Sequence, residues 1–436
     1  MDTAVRGVLS QSHLLPYELL TEIFLYYLEA YSHSTPNLPP PLLLGQICST
    51  WRHVVHGTPR FWTTFSLDIG HGGRADHVSF AKAWLYRAHP YPLDISLRVC
   101  TMALNHIVDA ILPYADRLRV INLHLPFQHF QPLADAGSMA LLESVNLSVA
   151  SIYGPQPIFW VERITAFTRA PCLRSVTISF HAWATHSRRG GLFVSGIQMP
   201  WSQLTELHIS EGCESADIFR DAFLQCRNLI NCSLFMCTWD VWIPDVPTVV
   251  LSHLRKLKVT FSGTGHSFPF FQPLNLPALK DLTVATRNYA RWSHQIFMGF
   301  TLRSSLDLER LSFKQVKTRS DELLEFLRHM HSLVELEIES SRCVDDNVLD
   351  ALCYREMASQ HLIPKLENLH FYKAFDHIDG DCFTNMIESR WWTDDTPRMV
   401  SRLKRVVYGN WTTDARVLQR LEHCRREGLI LNRCRC

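Results

Sequence analysis

One order of apolar and polar positions recurs eleven times from Leu118 onward: a leucine, two residues, an apolar residue, one residue, an apolar residue. Leu142-x-x-Val145-x-Leu147, Leu254-x-x-Leu257-x-Val259 and Leu333-x-x-Leu336-x-Ile338 represent it. The leucines stand at 118, 142, 173, 204, 229, 254, 279, 308, 333, 366 and 403, at intervals of 24 to 37 residues. Alternation within the motif predicts a short strand with one buried side. Regular recurrence predicts a repeat array, because no single unit of this size can bury its apolar side alone. Helix-like stretches lie between motifs, at residues 158–167, 215–224, 321–330, 344–357 and 414–425. In the third, Asp321 and Glu322 sit in the first turn, where they meet the positive end of the helix dipole, and Leu323, Leu324 and Leu327 share a face. Each unit is therefore expected to be a strand, a turn and a helix. Strands at 65–69 and 93–99, flanking a helix at 76–89, are expected to open the array.

Before residue 66 the period changes to that of a helix. Leu15, Leu19, Ile23 and Tyr27 are four apart and share a face. Pro16 suits the first helical position, where its missing N–H is harmless, and Glu18 lies in the first turn. A Ser- and Pro-rich break at 31–41 precedes a second stripe, Leu44, Ile47, Cys48, Trp51 and Val55, which Gly57 ends. Thr58-Pro59 restarts a short third helix carrying Phe61 and Trp62.

The blocks Leu15-Pro16-x-Glu18-Leu19-Leu20-x-x-Ile23-Phe24, Ile47-Cys48-x-x-Trp51-Arg52 and Thr58-Pro59-Arg60-Phe61-Trp62 resemble an F-box, most of all the expanded F-box groups of mushroom-forming fungi. The Pro-rich connection is longer than in the common F-box. The remainder resembles irregular leucine-rich repeats, although the Asn or Cys expected after each strand is mostly absent; Cys237 and Cys343 lie near that place. The resemblance implies an α/β chain: a three-helix F-box at 8–66, then a leucine-rich-repeat solenoid at 67–436, a curved parallel sheet with outer helices. It also implies that the helices dock on a Skp-family adaptor and through it on a cullin–RING ligase. The residues implied for that contact are Leu15, Pro16, Leu19, Ile23, Leu44, Ile47 and Trp51, some of which must be internal core.

Composition narrows the alternatives. The 436 residues carry a net charge of +1 and are 47% hydrophobic, which excludes collagen-like and disordered chains. Near-neutral charge gives no global attraction to nucleic acid or an anionic membrane. No run of about 18 apolar residues predicts a membrane span. Thirteen cysteines with no opening apolar signal segment point to reduced thiols in the cytoplasm or nucleus. Phosphate-loop, dinucleotide, nucleophile-elbow and zincin motifs are absent. Gly70-His71-Gly72-Gly73 reads as a turn rather than an anion site, and the 22 histidines show no triad order. Cys226, Cys232 and Cys237 are spaced six and five apart, unlike paired zinc ligands, and Cys424, Cys434 and Cys436 read as a frayed tail. From Arg398 onward ten Lys or Arg outnumber three Asp or Glu, which reads first as a solvated outer face.

Strand alternation turns the residues between the apolar positions to the open side of the sheet. Along the array these pass from small polar groups through Lys258 and Lys314 to Glu337 and Glu339, then to His370 and Tyr372. These six are the candidates for partner binding. The expected function is substrate recognition in a Skp–cullin–F-box ubiquitin ligase, with no metal, cofactor or catalysis of its own and an unknown protein as target. The alternative is a non-catalytic leucine-rich scaffold outside ubiquitination. A hydrolase of convergent Ser, His and Asp is the remote third reading.

Overall fold

All eleven leucine motifs place their two later apolar positions on strands in the computed structural model, which describes residues 15–31, 39–69, 76–99, 106–150, 164–180, 196–213, 223, 225–236, 248–262, 268–287, 292–339, 343–358, 360–372, 378–394, 398–409 and 414–434. The chain forms two units, Met1–Leu173 with Gly196–Pro200, and Arg174–Ser195 with Trp201–Cys436. The expected helix at 215–224 and most of that at 158–167 fall outside the described residues, as do Gly70 to Gly73, Cys237 and Cys436.

The first unit opens with helices α1 (Tyr17–Tyr31), α2 (Pro40–Gly45) and α3 (Ser49–Gly57), then a tight helical turn at Pro59–Trp62. Four parallel strands follow: β1 (Thr64–Ile69), β2 (Leu93–Val99), β3 (Leu118–Pro126) and β4 (Ser144–Ala150). Between β1 and β2 lies α4 (His77–Arg87), whose first turn is capped by Asp76 Oδ1 accepting from Ser79 N at 3.0 Å. Phe65, Ile95, Ile121 and Val145 align across the strands into one buried row. Trp62 stands three residues before Phe65, where later units have leucine. Its indole donates to Val55 O at 2.9 Å, and Trp62 O accepts from the Trp84 indole at 2.9 Å. The two indole rings meet edge to face at 4.7 Å. These contacts join α3 and α4 beside β1, so the helices and the first strands share one unit.

The second unit carries ten parallel strands in chain order: β5 (Ser175–Phe180), β6 (Glu206–Cys213), β7 (Asn231–Met236), β9 (Lys256–Phe261), β11 (Asp281–Thr286), β12 (Arg310–Lys314), β13 (Glu335–Glu339), β14 (Asn368–Tyr372), β15 (Arg405–Gly409) and β16 (Ile430–Cys434). The short strands β8 (Val249–Val250) and β10 (Leu274–Asn275) pair separately. Leu207, Cys232, Leu257, Leu282, Leu311, Leu336, Leu369, Val406 and Leu431 align in register. All nine are buried.

Each motif leucine plugs the edge where its strand begins. The eleven are at most 1% exposed, and a fully buried Leu contributes about 1.5–3 kcal/mol. A turn sets it in place: Leu142 N donates to Met139 O, Leu229 N to Cys226 O, Leu279 N to Leu276 O and Leu333 N to Met330 O. The residue after the leucine then accepts two N–H groups from the next unit. Thr205 and Glu206 donate to Arg174 O, Lys280 and Asp281 to Arg255 O, and Glu367 and Asn368 to Val334 O. This ladder satisfies backbone groups that the strand edges would otherwise leave open.

Helices are less regular than the repeat reading expects. In the second unit they are α5 (His294–Ser304), α6 (Ser320–Leu327), α7 (Asp346–Leu352), α8 (Gly380–Ser389) and α9 (Ala415–Arg426). Among the described residues, several earlier connections contain tight helical turns, at Leu112–Arg117, Phe127–Asp135, Trp201–Gln203 and Phe268–Phe271. The uniform strand–turn–helix unit is therefore corrected where the connection is fully described: from β3 to β4 the chain makes only the turn at Phe127–Asp135, and Pro132 within it opposes a full α-helix. The single helix expected from Leu44 to Val55 is also two helices. Cys48 is extended between them, and its Sγ accepts from Trp51 N at 3.5 Å. Gly57 is the last helical residue, and a Cβ there would come within 3.3 Å of the Tyr17 hydroxyl. Close approach, rather than a left-handed backbone, is what asks for glycine at that end.

The missing Asn ladder has substitutes. Thr286 Oγ1 donates to Gln315 O at 2.5 Å, and Ser262 N donates to Met236 O at 2.8 Å. Three arginines tie carbonyls of neighbouring units together. Arg117 donates to Ala88 O and Tyr91 O, and Arg303 to Phe271 O and Leu274 O. Arg390, fully buried, donates to Leu352 O at 2.6 Å, Leu362 O at 2.5 Å and Ile363 O at 3.1 Å. Burial pulls its guanidinium down to about 10. Between β9 and α6 the core is aromatic, with Phe271, Phe297, Phe313 and Phe326 in successive ring contacts of 5.0 to 6.0 Å.

Candidate interaction surfaces

Helix α1 has apolar residues on two sides. Leu20 and Phe24 are 2% and 1% exposed and face the core, where Phe24 meets Trp51 at 4.7 Å and Phe61 at 6.2 Å. A flanking face, about 100° round the helix, holds the expected stripe. Leu15, Leu19 and Ile23 are 40%, 52% and 51% exposed, and Ile47 after α2 is 46% exposed. Pro16 is exposed as well. Two of the seven adaptor candidates lie elsewhere: Leu44 is buried, and Trp51 is half-covered against Phe24. Tyr26, 75% exposed, extends the outward stripe beyond the seven candidates, whereas Tyr17 turns its hydroxyl to Thr58. The signal for Tyr26 is the spacing, since it follows Leu19 by seven and Ile23 by three. The helices are pinned by Tyr17 Oη with Thr58 Oγ1 at 2.5 Å and by Arg52 Nε donating to Gly45 O at 2.8 Å.

The second surface is the open side of β9 to β14. Register brings Lys258, Thr283, Ser312, Glu337 and His370 into one row, and Lys314, Glu339 and Tyr372 into the next. Lys314 and Glu337 are joined at 2.9 Å, and Ser312 Oγ donates to Glu337 at 2.6 Å. Burial works to raise the Glu337 carboxyl, but the bonds from Ser312 and Lys314 outweigh it and hold it below the usual glutamate value. The two signs read in series along the chain therefore partly neutralise each other in space. His370 is half-buried, its Nε2 has no hydrogen-bond partner, and its ring meets Tyr372 edge to face at 6.2 Å. Burial lowers its pKa, against the opposing pull of Glu335 and Glu337. Burial lowers the His208 pKa, and the exposed Lys258 lowers it further.

The basic final segment is also largely paired. Arg420 bonds Asp381 at 2.9 Å and Glu388 at 2.6 Å, Lys404 reaches Glu367 at 2.7 Å, and Arg425 and Arg426 flank Glu422. Arg398 lies over Trp392 at 4.3 Å and Arg402 over Trp391 at 5.3 Å.

Burial pushes the Cys226 thiol up to about 12, the Cys424 thiol up to about 11 and the Cys232 thiol well up, so all three stay protonated. Cys226 fills the turn position three before Leu229, which accounts for it as a core residue. Among the described residues, no three His, Cys, Asp or Glu gather where they could hold a metal, and no helix is long and apolar enough to cross a membrane.

No protein-family model and no curated protein matches this chain.

Proposed function

We propose that this chain is the substrate-recognition subunit of a Skp–cullin–F-box type ubiquitin ligase. Its N-terminal helices bind the Skp adaptor, its repeats bind a protein target, and it performs no covalent chemistry itself. The observation that carries this reading is the outward face of α1. Leu15, Leu19 and Ile23 stand exposed while Leu20 and Phe24 already supply the helix's own core. An amphipathic helix with a second, unburied apolar side suits docking into a partner's groove. The mechanism is tethering. Held on one scaffold, the target's lysines meet the charged ubiquitin carrier at a raised effective concentration. The site of action is the cytoplasm or nucleus.

Adaptor capture tests it. The full chain carrying Leu19→Asp with Ile23→Asp is expected to lose adaptor binding while its thermal unfolding stays that of the unmutated chain. Failure of the unmutated chain to capture a Skp adaptor would sink the proposal and leave a non-catalytic scaffold.

A further inference from the structure

A groove of about 630 Å³ runs along the edge where β5, β6, β7 and β9 begin. Arg174, Gln203, Thr205, Asn228, His253 and Arg255 are among the residues lining it, and none of its lining residues is acidic. Arg174, Thr205, Ile230 and Arg255 each immediately precede a strand, and the register places them on successive strands. Arg174 and Arg255 are thus three strand spacings apart, about 14 Å at 4.7–4.9 Å each. Nearby cations are already matched: Lys256 pairs with Asp281 at 3.1 Å and Lys280 with Asp307 at 2.6 Å. Glu206, the adjacent carboxylate, accepts from Ser175 and Asn231 at 3.2 Å each. Arg255 and His253 are exposed, and no acidic partner is found for either among the described residues.

We infer that this groove binds an extended acidic peptide segment of a partner protein. An extended chain rises about 3.3 Å per residue, so negative side chains four residues apart span about 13 Å and match the two arginines. Between them Thr205 Oγ1 donates to Arg174 O and Asn228 Nδ2 to Ser202 O, so toward a peptide backbone these two side chains offer acceptor oxygens. A lone phosphate ion cannot bridge that distance, which favours the peptide. The inference rests on the reading of the repeats as the partner-binding part of the chain.

The test is fluorescence anisotropy of the full-length chain with a labelled Gly/Ser peptide carrying glutamates at i and i+4. Controls are the same peptide with glutamines and one with adjacent glutamates. Binding of the spaced peptide, weakened about tenfold by Arg255→Glu and by raised salt, is expected for a charge reversal at a solvent-facing ion pair. Preference for phosphoserine over glutamate at either site also supports the inference and identifies the anion. Equal binding of the glutamine peptide, or no change with Arg255→Glu in a protein whose circular dichroism is unaltered, would overturn it. Absence of binding to the unmutated chain would overturn it too. Leu19→Asp should leave peptide affinity unchanged, and failure of the unmutated chain to capture the adaptor while it still binds the peptide counts against the ligase reading and spares the groove.

Discussion

Helix α1 and helix α6 are both leucine-rich, yet they use their leucines in opposite ways. Helix α6 turns Leu323, Phe326 and Leu327 into the core and leaves Asp321 and Glu325 outside. Helix α1 buries Leu20 and Phe24 and leaves Leu19 and Ile23 in the open. The difference lies in the strands. Beside α6, Phe313 on β12 takes up Phe326 at 6.0 Å, and α5 supplies Phe297 at 5.0 Å, so a single apolar stripe is fully occupied. Helix α1 packs chiefly on α3 and the turn after it, which occupy only one side. A helix with one apolar side is a structural part of the array. A helix with two has a side left for something else.

The sharpest way to break this contrast is to empty the occupied side. Phe297→Ala removes a fully buried ring that meets Phe271, Phe300, Phe313 and Phe326, and is expected to cost about 3–5 kcal/mol in denaturant unfolding. Next comes Arg390→Met, which removes the arginine donor from Leu352 O and Leu362 O and leaves Ile363 O only Leu366 N at 3.3 Å, and should cost about 2–3 kcal/mol by the same measurement. A loss under about 0.5 kcal/mol would show that water reaches those carbonyls.

The open sheet face should show a smaller, pH-dependent effect. His370 sits below its ordinary 6.5, so the unfolded chain binds its proton first on acidification. The stability it contributes is complete above 6.5 and is lost as pH falls through the folded value. Glu337 acts in the same direction lower down: its contribution is complete above 4.5 and is lost below that. Unfolding measured from neutral to mildly acid pH should therefore flatten in His370→Gln, and Glu337→Gln should flatten only the more acid part. The smallest effect belongs to α1. Leu19→Asp should shift stability by no more than about 0.5 kcal/mol, and a large loss would mean its side chain is core after all.

Much of the array was legible because strand alternation is local. The motif leucines and their apolar partners fall where the register needs them, and the helix at 320–327 follows from its own acids and leucines. The last strand, β16, escaped for a reason that can be named. Its motif position is taken by Gly428, whose φ of +111° follows the end of α9, so the leucine that opens the eleven motifs is missing. The turn role of Cys226 was not legible, because its position, three before the motif leucine, is filled elsewhere by Met139, Leu276 and Met330 and so carries no fixed residue type. The arginine ties were invisible, since Arg117, Arg303 and Arg390 act on carbonyls 26 to 38 residues away. The lysines and glutamates of the open face could be placed in order along the chain, but not paired.

Periodicity alone therefore settles which side of each strand is apolar and how often the unit returns, because both are set by the geometry of one short segment. It cannot choose between the two apolar sides of α1, split Leu44 and Trp51 from Leu19 and Ile23, or join Lys314 to Glu337. Those outcomes depend on which neighbours arrive first to exclude water. Packing between distant segments determines that, and a segment's own pattern carries no record of it.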